Sequence, residues 1–232
     1  MAFPSLTKIW HSEAYPAISP SRPELSAQDK VIAITGGGGA IGSAIALAFA
    51  QAGAKGIAII GRRDGPLQET RKKVESEVSG THIITVNGDL SDAQSMKEAL
   101  QTVSMQLGPI DVLVANAGFL PHMGRIADAD PDEWWTGFET NTKGAFNTCR
   151  ALLPVAASGC LLIDISSCVV HIPAMITASG YVSSKLAGTK VYETFAAENP
   201  DKIQVIHIHP GVVHSELNVK SGVVAADNGE IK

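Results

Sequence analysis

Four consecutive glycines, Gly36–Gly39, interrupt an apolar span that runs from Val31 to Ile60. A helix would not hold such a run near its start, so the span does not read as one membrane-crossing helix. It reads as a strand (Lys30-Val31-Ile32-Ala33-Ile34-Thr35), a glycine turn and a helix of small residues from Ser43 to Ala54. Glycines let a backbone turn tightly and approach a pyrophosphate, and the helix start beyond them offers free N–H groups and a partial positive charge. Strand, turn and helix within one short unit is the context that a dinucleotide-binding turn requires. A tight connection that binds nothing remains the alternative on these residues alone.

The rest of the chain repeats this alternation. Short β-branched runs predict strands at Val31–Thr35, Gly56–Ile60, His82–Asn87, Val112–Ala115, Leu161–Ile165 and Ile203–His209. They are apolar on both faces, as strands of a parallel sheet covered by helices must be. Helix starts are marked by capping-box spacings at Ser91 with Gln94 and at Asp130 with Glu133, the second with Pro131 at the first helical position, and by Pro66. Asn199-Pro200 closes the helix that begins near Tyr181. The expected fold is α/β, a doubly wound parallel sheet of at least six strands in a single domain over residues 30–232, preceded by an extended arm over 1–29.

Composition removes other classes. The 18 basic residues against 23 acidic ones give a net charge of −5, with no basic run longer than Arg71-Lys72-Lys73, so a nucleic-acid partner is not expected. Three cysteines, Cys149, Cys160 and Cys168, lack CxxC spacing, which argues against a disulfide framework and a zinc site and fits a reducing cytoplasm. The N-terminus has no basic-then-apolar signal pattern, and no membrane partner is expected.

At the glycine turn the chain resembles the short-chain dehydrogenase/reductase family, whose single-domain members carry TGxxxGxG. Thr35, Gly36 and Gly42 match, with Ala40 at the middle glycine; the same residues fit TGxxGxxG through Gly36, Gly39 and Gly42. The resemblance implies that Thr35, Gly36, Gly39, Ile41 and Gly42 belong to the cofactor site. At the end of the second strand an acid would bond the ribose 2′-OH of NAD, whereas an arginine pairs a 2′-phosphate. This chain has Gly61-Arg62-Arg63, so NADP(H) is expected, gripped by Arg62 with Arg63 behind it; a solvated arginine pair blunted by Asp64 is the competing view. Asp89-Leu90 matches the family's adenine-contacting segment, and Asn116-Ala117-Gly118 its NAG motif.

Tyr181 and Lys185 lie four apart at a helix start and so share one face. An ammonium about 6 Å from a phenol favours the phenolate by roughly 3 kcal/mol at an effective dielectric near 20, about two pKa units. The resemblance makes Tyr181 the general acid/base and Lys185 the group that lowers its pKa and holds the nicotinamide ribose. It makes Ser167 the residue that orients the substrate oxygen and Asn141 the support of a helix bend and a relay water. Ser166 competes with Ser167 and, on an alternating strand end, should point the other way. Pro210-Gly211-Val212-Val213-His214-Ser215 is similar to PGxxxT, implying that Pro210, Gly211, Val213 and Ser215 meet the carboxamide end.

Around the nicotinamide the fold should bring Leu120, His122, Met123, Val169, Val170, His171, Met175, Val212 and His214, a mostly apolar set. Three histidines on separate loops do not make a metal site, and none is expected. The function expected is NADP(H)-dependent reduction of a ketone, or oxidation of a secondary alcohol, on a small to medium apolar molecule, similar to fungal secondary-metabolism members. Non-redox dehydration or epimerisation, and cofactor binding without turnover, are the alternatives. The resemblance also implies a homo-oligomer. Only 16 residues follow Glu216, too few for the family's lid, seventh strand and last helix. If the chain is complete, the expectation is an open sheet edge, assembly through helices 132–151 and 181–199, an open pocket and poor turnover.

Overall fold

The computed structural model describes residues 14–173 and 175–220. The arm's first 13 residues and the apolar run Val223-Val224-Ala225-Ala226 lie outside them. Six parallel strands form one sheet: β1 (Val31–Thr35), β2 (Gly56–Gly61), β3 (Ile83–Asn87), β4 (Ile110–Ala115), β5 (Ala156–Ile165) and β6 (Ile203–Ile208). Their order is β3-β2-β1-β4-β5-β6, so the direction of winding reverses between β1 and β4. Open α/β sheets place ligands outside the carboxyl ends of the strands at such a reversal. The glycine turn follows β1 there.

Helices α1 (Ala40–Gln51) and α2 (Asp64–Glu77) contribute to a core with Ile32, Ile34, Ile57 and Ile59, while α3 (Ala93–Leu107), α5 (Gly144–Leu152) and α6 (Ser179–Glu198) contribute to a second core with Val31, Ala33, Ala58 and Ile60. The neighbouring strand residues divide between the two cores because side chains alternate across a strand. All five residues of β1 are therefore buried, which explains the unbroken apolar run. Between α4 (Pro131–Phe138) and α5 the chain winds as a π-helix over Glu139–Lys143, and a short α7 (Glu216–Lys220) follows β6.

Two helix starts differ from expectation. Asp92, not Ser91, caps α3 by accepting from Ser95 N, because both the amide and the hydroxyl of Ser91 are bound by Asp89 Oδ1. Asp130 does cap α4 through Glu133 N at 2.8 Å, but the Glu133 carboxylate turns outward to accept from His122 N, so only half of the box forms. Helix α2 begins at Asp64, two residues before Pro66. The described part of the arm is not extended throughout: it makes 3-10 turns at Pro16–Ile18 and Pro23–Leu25 and docks through buried Ala27, whose N–H bonds Ala52 O.

Candidate active site

The turn after β1 explains its own glycines. Gly36 has φ +66°, and a Cβ on it would lie 2.9 Å from Ala117 Cα. A Cβ on Gly42 would lie 2.4 Å from Gly36 O, closer than atoms can approach. Gly39 is different: its added Cβ would touch only Gly36 O, at 3.4 Å, so the chain's own packing does not require glycine there. Gly39 is the N-cap of α1 and supplies no side chain, so no side-chain hydrogen bond caps the helix start. A bare, exposed amide mouth fits a pyrophosphate. The exposed methyl of Ala40 starts the helix, and between Gly36 and Gly39 the turn is as tight: a Cβ on Gly37 would lie 2.5 Å from Ile59 Cβ, and one on Gly38 2.8 Å from Pro66 Cβ.

Thr35 is buried and ties the strands together rather than facing solvent: its Oγ1 donates to Val114 O and accepts from the amides of Asn116 and Ala117. Asn116 Nδ2 returns the tie by donating to the carbonyls of Thr35 and Gly36. Ile41 packs partly into the α1 core. Leu90 is 8% exposed, its side chain against the second core and its carbonyl taken by Asn147 Nδ2. Burial alone would raise the Asp89 carboxyl, but hydrogen bonds from Ser91 and the charges of Arg62 and Lys143 hold it below its ordinary value.

Past β2, Arg62 is exposed with its carbonyl bound by Asn87 Nδ2, and Arg63 pairs with Glu216 at 2.8 Å across solvent-exposed surface. A Cβ on Gly61 would meet Leu67 Cδ2 at an ordinary 3.4 Å, so this position has room for a side chain and carries none.

Tyr181, Lys185 and Ser167 come together where α6 passes the end of β5. The Ser167 side chain lies near enough to the Tyr181 phenol to act on its titration, and its Oγ accepts from Val169 N at 3.4 Å. Ser166 points the other way, as strand alternation requires, and bonds Thr189 under α6 at 3.0 Å. Lys185 Nζ donates to Ile165 O at 2.8 Å. Opposite to the lowering expected from Lys185, burial pushes the Tyr181 phenol up, the nearby Ser167 side chain offsets part of this, and Cys168 and Asp164 add to the rise. Burial is the largest cause of that rise. Burial in turn lowers Lys185, and Asp164 opposes that.

Asn141 sits in the π-helical segment with every amide atom engaged: Nδ2 donates to Phe119 O and Ser184 Oγ, and Oδ1 accepts from Phe119 N. Single π turns recur at functional sites because they displace one residue out of helical register. The Asn141 backbone lies against α6 at Gly188, where a Cβ would come within 2.4 Å of Asn141 O. Gly118 is exposed beside both groups; its Cβ would lie 3.4 Å from Asn141 Oδ1 and 4.0 Å from Lys185 Nζ. Sequence reasoning missed Gly188 and Ser184, although a lone glycine inside a helix is a signal for close packing.

On the loop after β6, Pro210 is half-buried, Gly211 has φ +82° in open space, Val213 O accepts from Asn218 Nδ2, and Ser215 Oγ accepts from Asn218 N at the start of α7. Of the substrate-side residues, Val169 is buried, whereas His122, His171, Met175, Val212 and His214 are exposed. Among the described residues there is no group of three metal-ligating side chains, and no helix is long and apolar enough to cross a membrane.

The model of the short chain dehydrogenase family matches residues 30–223. The chain is 35% identical over 214 residues to the short chain dehydrogenase pigC of Monascus ruber, covering 89% of this chain and 69% of that protein. It is 33% identical over 222 residues to the short chain dehydrogenase/reductase nsrO of Aspergillus novofumigatus, covering 92% and 74%. Among solved structures it resembles an alcohol dehydrogenase from the archaeon Thermococcus sibiricus complexed with 5-hydroxy-NADP, at 30% identity and TM-score 0.75, covering 84% of this chain and 80% of that one.

Proposed function

Since this chain belongs to the short chain dehydrogenase family, we propose that it is an NADP(H)-dependent oxidoreductase that interconverts a ketone and a secondary alcohol on a small to medium apolar molecule. The observation that carries the reading is the gathering of Ser167, Tyr181 and Lys185 at the end of β5, with Lys185 one helical turn from Tyr181 and its Nζ bonded to Ile165 O at 2.8 Å. A nicotinamide, when bound, supplies or accepts the hydride. The uncapped start of α1 receives the pyrophosphate, and Arg62 pairs the 2′-phosphate with no carboxylate at Gly61 to oppose it. Gly118, Pro210, Gly211, Val213 and Ser215 border the nicotinamide end.

Ser167 Oγ orients the substrate oxygen, and Tyr181 Oη gives that oxygen its proton during reduction. The raised phenol suits this direction, because it stays protonated throughout the neutral range. Lys185 holds the ribose and Asn141 braces α6 and the β4 loop around it. The test is turnover of NADPH with a panel of apolar ketones, followed by absorbance near ~340 nm, by wild type and Tyr181→Phe. The reading requires that Tyr181→Phe lose reduction while cofactor affinity stays within a few-fold. Binding without any hydride transfer by the wild type would favour the non-redox alternative.

A further inference from the structure

Asp164 and His207 are register partners on the parallel strands β5 and β6, so their side chains lie side by side under α6. His207 Nδ1 is 3.0 Å from Asp164 Oδ2, and Thr189 Oγ1 donates to the same oxygen at 3.3 Å. Asp164 is 4% exposed, and a carboxylate so buried is unfavourable unless it is paired and hydrogen-bonded. Thr189 follows Lys185 by one helical turn and shares its face. Lys185 and Asp164 line the same cavity of about 10 Å³, room for a single water, with Asn141 on its wall. The Lys185 ammonium also bonds the carbonyl of Ile165, the residue after Asp164.

We propose that Asp164 is a positioning residue: its carboxylate, anchored by His207 and Thr189, is the buried counter-charge that keeps Lys185 an ammonium beside Tyr181. The inference rests on the reading above, in which Lys185 acts with Tyr181. The titratable groups around the carboxylate are Lys185, Tyr181 and Tyr192 from α6 and His207 from β6. Beyond them, Glu193 approaches the far side of His207 at 4.0 Å and feels His171, Cys149 of α5 faces Tyr192, and Cys168 faces Tyr181. Asp164 is the carboxylate whose charge reaches Lys185, Tyr181 and Tyr192 alike, and it opposes the lowering that burial imposes on Lys185.

The test reads Lys185 without turnover. Cofactor-free protein is labelled with acetic anhydride between about pH 7 and 11, and Lys185 acetylation is followed by peptide mass spectrometry, since only the neutral amine reacts. In Asp164→Asn the labelling curve moves down by about one pH unit, so that at a pH where the wild-type lysine is still mostly an ammonium, Lys185 reacts about tenfold faster. His207→Arg is the second variant, at a partly exposed position: it leaves the carboxylate in place but sets a permanent cation against it, and moves the curve the same way. In turnover, the alkaline limb of kcat for carbonyl reduction shifts with the labelling curve, while KM for NADPH at neutral pH changes only a few-fold. A uniformly lower kcat with the labelling curve and the limb unmoved, in either folded variant, overturns the proposal and leaves Asp164 a structural residue. If instead Tyr181→Phe retains turnover, the parent reading fails, and the labelling result still decides the Asp164–Lys185 pairing by itself.

Discussion

Replacing Gly188 by alanine sets two effects of opposite sign against each other. Alanine is favoured over glycine in a helix interior by about 1 kcal/mol, so propensity alone predicts a more stable α6. The structure predicts the reverse. The new Cβ would lie 2.4 Å from Asn141 O, about 1 Å short of the 3.4 Å at which ordinary contact begins, and the obstructing atom is backbone that cannot rotate aside. Overpacking of this kind costs roughly 1–3 kcal/mol and falls at the upper end when backbone must move. The net loss is about 1–2 kcal/mol, a fall in Tm of roughly 2–8 °C for a chain of this size. Relief requires α6 and the π-helical segment to separate, carrying Lys185 and Tyr181 away from Ser167, and a shift near ~1 Å in a reacting constellation lowers kcat by about a hundredfold. Differential scanning fluorimetry and NADPH turnover measure both. Gly65→Ala in α2 is the control: nothing lies within 4 Å of its added Cβ, so it should be neutral or stabilising by up to about 1 kcal/mol. An unchanged or raised Tm for Gly188→Ala, together with wild-type kcat, would refute the reasoning.

The remaining expectations test the site and its surroundings. Arg62→Ala should weaken NADPH roughly tenfold to a hundredfold, the worth of about 1.5–3 kcal/mol for a charge-assisted contact, and leave NADH unchanged, as read by isothermal titration. Gly61→Asp, for which the structure has room beside Leu67, should invert the preference; equal loss of both cofactors would place the 2′-phosphate elsewhere. Ser167→Ala should remove most of kcat, whereas Ser166→Ala, which loses only the Thr189 contact, should affect Tm more than turnover. Burial pushes Cys149 and Cys160 up to about 12. Above about pH 8.5 the unfolded thiols lose protons that the folded ones keep, so stability falls as pH rises from there toward 12. Melts at about pH 8 and 10 should show that loss, and it should shrink in Cys149→Ala, compared with its own melt at the lower pH.

What could be read without coordinates depended on how far apart the deciding residues lie. β1 was legible from end to end because each of its residues is buried, and Tyr181 with Lys185 because a four-residue spacing fixes a helical face. β5 was not: it begins at Ala156 rather than Leu161, since Ser158 and Gly159, the latter at φ +70°, disguise a strand whose register also slips between Ile110 and Val112. The cap of α3 was read as Ser91 from its spacing to Gln94, whereas the structure puts it at Asp92, with Asp89 occupying the serine. The tyrosine's environment was misjudged for the same physical reason. Spacing places a lysine next to a phenol but does not say which way its ammonium turns, and here it turns to Ile165 O, twenty residues away. Asp164 is the extreme case: an acid in an otherwise apolar strand is visible in the sequence, but its partners His207, Thr189 and Lys185 come from another strand and a helix, and only the β5–β6 register brings them to it. The counter-charge proposed for Lys185 therefore depends on that register, so a shift of β6 by one residue would turn His207 to the opposite face and leave the Asp164 carboxylate with Thr189 alone among its two hydrogen-bond partners.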